Sequence, residues 1–194
     1  MRKNQIIYFL NAVYYGIWTI NMKFGDFIGR IVGAILSPVP KYFFSKSYKE
    51  KYYKRLPTER EKTEKFLHDS KSGYYIGCAN YCFAYFYSGY SIFLSFVLIG
   101  IADKIWGHLH LLIDLLLLAL PIEVCFIPAY SAVFSNDRYS KYFRQFEKED
   151  EHWHKKWRGI TILFIMGSII FTIMGFLAMW GIDHLLCDVF KTLI

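Results

Sequence analysis

The residues best suited to chemistry are histidines and aspartates at the ends of two apolar stretches. His110 and Asp114 are one helical turn apart, so the carboxylate could orient the imidazole, or both groups could bind a divalent metal. The full set contains six ionisable residues: His108, His110, Asp114, Asp183, His184 and Asp188. Because neither an HExxH pattern nor a nucleophile at a fixed spacing accompanies them, we predict polar helix ends and assign no catalytic residue, cofactor or metal ligand. A metal-dependent intramembrane enzyme or transporter that uses these residues on the external face is the alternative.

Glu123 is a candidate of a different kind, because it lies deep inside an apolar stretch. An unpaired charge in the hydrocarbon core of a membrane costs at least about 2.5 to 3.5 kcal/mol, so this acid should be protonated or paired. Arg30 lies in another apolar region and could reach a similar depth, with Asp26 one helical turn before it. We therefore predict a structural pair between Glu123 and Arg30. A gating or proton-relay role for the acid is the alternative.

Small and weakly polar residues form a stripe at helical spacing in the second apolar stretch, and a shorter series echoes it later in the chain. The members are Gly77, Asn80, Ala84, Ser88, Ser91 and Ser95, with Ser168, Thr172 and Gly175 in the later series. In lipid, small residues let two helix backbones approach each other and let hydroxyl groups bond across the contact. The stripe therefore predicts helix packing, within one chain or between subunits. A pore lining wetted by Asn80 and the serines is the alternative.

The elements that position these residues must be membrane helices. Of the 194 residues, 55% are hydrophobic, 20% are aromatic and 20% are charged. The charges are segregated, because residues 72–102 and 159–182 form uncharged stretches of 31 and 24 residues. About 20 apolar residues are enough for a helix to cross a membrane. A soluble single-domain fold is therefore excluded.

The predicted fold is an all-α integral membrane protein, a small multi-pass helical bundle that occupies the whole chain as one membrane domain. We predict three transmembrane helices, at residues 73–102, 108–134 and 159–183. Pro121 and Pro128 should kink the second of them or end it early. A first membrane region at residues 5–40 adds a fourth span or a re-entrant segment. We favour a break near Gly25, because an unbroken helix of about 50 Å is too long for one simple crossing.

Two charged segments connect the apolar regions, and their Lys and Arg residues predict the orientation. Residues 41–72 contain ten Lys or Arg and residues 135–158 contain seven, whereas residues 102–107 contain one base and one acid. Short loops rich in Lys and Arg stay on the cytoplasmic side, so we predict both charged segments there, in short amphipathic helices. Within the first segment, Pro57 should interrupt one helix and Thr58 should cap the next.

The chain has no glycine-rich phosphate loop, zinc signature or nucleophile elbow, so we predict a non-enzymatic protein of a bacterial inner membrane or another cytoplasmic membrane. The stripe offers a surface for self-association. We therefore favour a homo-oligomer that forms a channel-like pore or membrane-perturbing assembly, controlled through its cytoplasmic loops. In size and span count the chain resembles the small multi-pass effectors and sensors of bacterial antiviral systems, which implies a role in antiviral defence.

The predicted partners are membrane lipids and further copies of the chain. The basic loops are explained by topology and by attraction to anionic headgroups, so we expect no nucleic-acid partner. The competing hypothesis is a membrane sensor or adaptor without conduction, in which the same loops recruit a soluble cytosolic protein.

Overall fold

The computed structural model describes residues 3–36, 42, 45–69, 71–107 and 110–193, and this part of the chain contains helices and no strand. Its elements are α1 (Lys3–Leu36), α2 (Lys46–His68), α3 (Tyr74–Trp106), α4 (Leu111–Val133), a short 3-10 helix (Ser135–Asp137), α5 (Arg138–Phe146) and α6 (Glu151–Leu193). The prediction of an all-helical fold is confirmed.

Three of these helices, α3, α4 and α6, are long and apolar enough to cross a membrane, and they coincide with the three predicted transmembrane helices. Within a long uncharged stretch, a helix satisfies its own backbone hydrogen bonds without water. α4 continues through Pro121 and Pro128 as far as Val133, so neither proline ends it early. α6 continues to Leu193, beyond its predicted end at residue 183.

α1 is one helix of 34 residues, and the break predicted near Gly25 is absent from it. A glycine inside a helix costs only about 1 kcal/mol relative to alanine. This position requires one, because a Cβ at Gly25 would overlap the ring of Tyr75 at the start of α3. The glycine therefore allows α1 to approach α3. The helix is less apolar than the three spans, because Asn11, Asn21 and several charged residues interrupt it.

α2 is also continuous, and the interruption predicted at Pro57 is absent from it. A proline ring removes one intrahelical hydrogen bond, but the Lys, Arg and Glu residues on both sides are strong helix formers. Lys65 Nζ lies 2.7 Å from a Glu61 carboxylate oxygen, one turn away, and supports the second half of the helix. Thr58 thus lies inside a helix instead of capping one.

α3 lies at the centre of the bundle, where it contacts α1, α4 and α6. α1 is antiparallel to α3. Tyr14 donates a hydrogen bond to Asn80, whereas Gly25, later in α1, lies beside Tyr75, earlier in α3. The last part of α1 therefore lies at the end of the bundle where α2, α5 and the start of α6 bring the two charged segments together. We call this end the charged end.

The buried core lies at the charged end and consists largely of aromatic rings. Tyr14 and Tyr15 of α1 contact Phe143 of α5, with ring centroids 5.4 and 5.1 Å apart. Phe146 of α5 stacks on Trp153 at the start of α6, at 4.8 Å. Ring contacts of this kind add about 0.5 to 1.5 kcal/mol per pair to the effect of burial. α5 is therefore a cover for the core as well as part of a charged segment.

Candidate functional site

Glu123 lies near the middle of α4, on a side of the helix that the described part of the chain leaves uncovered. The most apolar stretch of α4 has no buried residue. The neighbours of Glu123 on this side are large apolar residues, each more than half exposed: Leu116, Leu120, Val124 and Ile127. At about 1.5 Å per residue, Glu123 is about 18 Å from the start of α4. A carboxyl group thus lies among exposed apolar side chains near the centre of a helix able to cross a membrane.

The predicted ion pair between Glu123 and Arg30 does not occur among the described residues. The ion pairs among the described residues include neither of them, and Arg30 is exposed on the last part of α1. Asp26 has a different neighbour, since its Oδ1 lies 3.2 Å from Nε2 of His68 at the end of α2. Because α1 is unbroken and runs toward the charged end, Arg30 lies beyond Gly25, the residue of α1 that packs beside the start of α3.

The stripe of small residues is divided among the neighbours of α3. Ser91 and Ser95 are buried, and Ser95 Oγ donates to the carbonyl of Leu118 in α4 at 2.9 Å. Nearer the charged end, Asn80 accepts the hydrogen bond from the Tyr14 hydroxyl. Ser95 thus joins α3 to α4, and Asn80 joins α3 to α1, so these members of the stripe take part in helix packing within one chain.

A close contact between α3 and α6 forms around Gly89, which does not belong to the predicted stripe. A Cβ at Gly89 would overlap the Ser168 hydroxyl, and Thr172 Oγ1 donates to the Gly89 carbonyl at 3.3 Å. Gly175 lies against the backbone of Phe93 along the same contact. The residues of α6 in this contact, Ser168, Thr172 and Gly175, are the later series that the sequence predicts. Gly89 follows Ser88 in the sequence and so lies on a different face of α3 from the stripe. A search for small residues on both helices, instead of along one stripe, would have identified Gly89 from the sequence.

Three members of the stripe contribute less to these contacts. Gly77 has open space at its Cβ position among the described neighbours. Ser88 Oγ donates at 2.9 Å to the carbonyl of Tyr85 in its own helix. Ala84 is partly buried. The stripe is therefore several short contacts with different neighbours, not one continuous surface.

The predicted external cluster lies only partly within the described residues. His108 is outside them, and so are the side chains of Asp183, His184 and Asp188. His110 caps α4, because its Nδ1 accepts the backbone N–H of Leu112 at 3.4 Å. Asp114 lies in the first turn of the same helix, where the helix dipole favours negative charge. Both observations support a polar helix end. No group of three His, Cys, Asp or Glu residues suited to a metal ion occurs among the described residues.

An acid outside the membrane helices holds the turn between α2 and α3. Asp69 accepts hydrogen bonds from the Ser72 hydroxyl and, at 3.1 Å, from the backbone N–H of Lys71. These bonds lower the pKa of Asp69 below its ordinary value. The hydrogen bond from the Ser72 hydroxyl has the larger effect, and the bond from the Lys71 backbone has the next largest. The Gly73 N–H donates to the Asp69 carbonyl at 3.0 Å, so the same residue closes the turn through its backbone. Asp69 thereby orients α2 relative to α3.

Comparison with protein-family models, with curated proteins and with solved structures found no match. The three long apolar helices indicate a membrane location. The positions of the side chains on these helices are therefore the basis for assigning a function.

Proposed function

We propose that the protein is a non-enzymatic membrane protein that self-associates through the uncovered side of α4 and forms a narrow cation-conducting pore. The observation that carries the proposal is Glu123, an exposed carboxyl near the middle of that helix. Copies of the chain arranged around an axis beside α4 would bring their Glu123 residues into a ring.

The cost of an exposed carboxyl in lipid favours this association. An ionised group at the centre of a membrane helix costs at least about 2.5 to 3.5 kcal/mol when it faces hydrocarbon. In an assembly, a protonated carboxyl can donate a hydrogen bond to the carboxylate of the next copy, and water in the pore can solvate the remaining oxygens. Contact between copies thus removes the free-energy cost of exposing the Glu123 carboxyl group to hydrocarbon in the monomer.

α4 is better placed for this contact than the other two spans. Its buried residues are confined to its last part: Ala129, Ala132 and Val133. The small residues of α3 and α6 already pack against neighbours inside the chain, for example at Gly89 and Ser168. The uncovered side of α4, rather than the stripe, is therefore the surface for joining copies.

The chemistry of this surface also suggests what the pore would pass. A ring of carboxylates attracts cations and repels anions. The apolar side chains before and after it, such as Leu120 and Ile127, would leave a narrow path that water fills poorly. A pore of this kind is compatible with the membrane-effector role that the size and span count of the chain imply.

The assembly is tested by measuring the mass of the purified protein in mild detergent. We expect several copies for the unchanged chain and a smaller mass for L120W, because the indole would hold neighbouring α4 helices apart. L163W is the matched control, since Leu163 lies on α6 and is 72% exposed. A monomeric unchanged chain, or equal masses for the two variants, would contradict the proposal.

Conduction is tested with the purified protein in liposomes. We expect cation flux from the unchanged chain and a strong reduction for E123Q, which keeps the shape of the side chain and removes its charge. The mass measurement on E123Q shows whether the assembly persists. Unchanged flux from an intact E123Q assembly would exclude Glu123 as the selecting group.

A second candidate function is the recruitment of an acidic soluble protein by α2. Between residues 46 and 55 the chain has five Lys or Arg and one acid. Lys51, Lys54 and Arg55 are exposed and belong to no ion pair among the described residues. Charge reversal at these three positions should abolish co-purification of such a protein from membranes. Reversal at Lys62, which pairs within α2, is the control and should preserve it.

A further inference from the structure

A cleft of about 700 Å³ opens between α1 and the start of α6, at the charged end of the bundle. Its lining is partly aromatic: Phe24 and Phe27 of α1 are 64% and 56% exposed, and Trp157 contributes from α6. Sites for small molecules usually measure about 300 to 1,000 Å³. The cleft is distinct from α4 and from the basic part of α2, so it can have a ligand of its own.

Two cations line the cleft, one from each helix. Lys23 belongs to α1 and Arg158 to α6, and neither takes part in the ion pairs of the described residues. Glu151 also lines the cleft, in the first turn of α6, where the helix dipole stabilises its charge. The cleft therefore combines two unpaired cations and a single acid with an aromatic surface.

The position of the cleft along α6 is at the boundary of a membrane span. Arg158 is the last charged residue before the uncharged stretch 159–182. Trp153 and Trp157 line the cleft one turn apart, and indole rings are enriched at headgroup depth. A ligand here would meet water and headgroups beside the cations, and hydrocarbon beside Ile20, which lies one turn before Lys23 on α1.

We propose that this cleft binds an anionic phospholipid of the adjacent leaflet. Lys23 and Arg158 would contact the phosphate, Arg158 with two parallel N–H groups. The glycerol part would lie against the rings of Phe24 and Phe27, and the acyl chains would pass Ile20 toward the hydrocarbon. A zwitterionic lipid would bring its own cation close to these two residues and would bind more weakly. Free phosphate would leave the aromatic surface uncovered. The site does not depend on the proposed pore, because it lies on α1 and α6 and not on the uncovered side of α4.

Native mass spectrometry of the full chain in detergent tests this site, with dioleoylphosphatidylglycerol or dioleoylphosphatidylcholine as the added lipid. We expect phosphatidylglycerol to bind about tenfold more tightly or better, and K23Q/R158Q to reduce that preference to about threefold or less. K155Q/K156Q is the matched control, because it removes the same charge from neighbouring positions of α6 that do not line the cleft. It should retain the preference.

A second variant tests the shape of the site without changing its charge. I20W should fill the cleft and weaken phosphatidylglycerol binding, while circular dichroism shows that the helices persist. Equal loss of preference in K155Q/K156Q and K23Q/R158Q would overturn the proposal, because the preference would then reflect net charge alone. Full preference in K23Q/R158Q, unchanged binding by I20W, or displacement of the lipid by inorganic phosphate at equal concentration would also overturn it.

Discussion

Nδ2 of Asn11 in α1 donates a hydrogen bond of 3.1 Å to the carbonyl of Ala132 in α4, across 121 positions of sequence. The same nitrogen donates to the carbonyl of Ile7 at 2.8 Å, and the residue is fully buried. An asparagine that interrupts an apolar run in the sequence thus fixes α1 to the buried end of α4. α1 is therefore an integral part of the bundle, although it is less apolar than the three spans.

Replacement of Asn11 by leucine should lower the free energy of unfolding by about 1 to 3 kcal/mol, because the carbonyl of Ala132 loses its buried donor and keeps only the longer bond of 3.4 Å from Arg138. N21L is the matched control on the same helix. Nδ2 of Asn21 is buried and has no hydrogen-bond partner among the described residues, so its loss should be neutral or stabilising. Denaturation in detergent, followed by circular dichroism, measures both variants. Equal destabilisation would argue against the role of Asn11.

G89A should destabilise the contact between α3 and α6 by about 1 to 3 kcal/mol, because the added methyl group must displace the Ser168 hydroxyl. G77A has open space at the corresponding atom and should be neutral, or stabilising by up to about 1 kcal/mol. Thermal unfolding compares them. S168A should restore part of the stability of G89A, and failure of this rescue would show that another overlap dominates.

Asp69 should titrate below its ordinary pKa of 3.8. Because folding lowers this pKa, the carboxylate stabilises the turn between α2 and α3 above pH 3.8, and the contribution is lost as the pH falls through the lower folded value. Carbon NMR of labelled aspartate carboxyls follows the titration. S72A removes the largest cause and should return the pKa toward 3.8. A titration at or above 3.8 in the unchanged chain would contradict the assignment.

The two charged segments should lie on the cytoplasmic side, because together they contain seventeen Lys or Arg residues. The connection at residues 102–107 contains only one. In a cysteine-free background, K62C and E149C should be protected from an impermeant thiol reagent in intact cells, whereas K104C should react. Permeabilised cells are the control, since all three positions should then react. Labelling of K62C in intact cells would reverse the orientation.

The spans are predictable because they depend on continuous stretches of sequence and not on contacts between distant residues. A long stretch without charge forms a helix in lipid, since its backbone groups must bond to one another. The continuity of α1 and α2 is not predictable in this way. Gly25 and Pro57 are ordinary helix breakers in isolation, and their tolerance depends on contacts such as the ring of Tyr75, which come from distant parts of the chain. The aromatic core has the same origin, since Phe143 is buried only when α1 packs on α5.

The candidate site is predictable in part for a related reason. Glu123 is conspicuous because an acid interrupts an apolar stretch, so composition alone selects it. Its surroundings depend on which side of α4 is covered by α3, and this is decided by packing at Ser95 and Leu118. A partner such as Arg30 cannot be inferred from depth alone, because the direction and continuity of α1 determine where it lies.

α4 is covered mainly at one end, where Ala129, Ala132 and Val133 are buried. Membrane helices adapt to bilayer thickness by changing their tilt, and α4 would tilt together with α3, to which Ser95 joins it at Leu118. Glu123 lies ten residues, or about 15 Å, from the covered end, so a tilt change of about 10° would move it sideways by about 3 Å. The lateral position of the Glu123 carboxyl group would thus change with bilayer thickness through the tilt of α4.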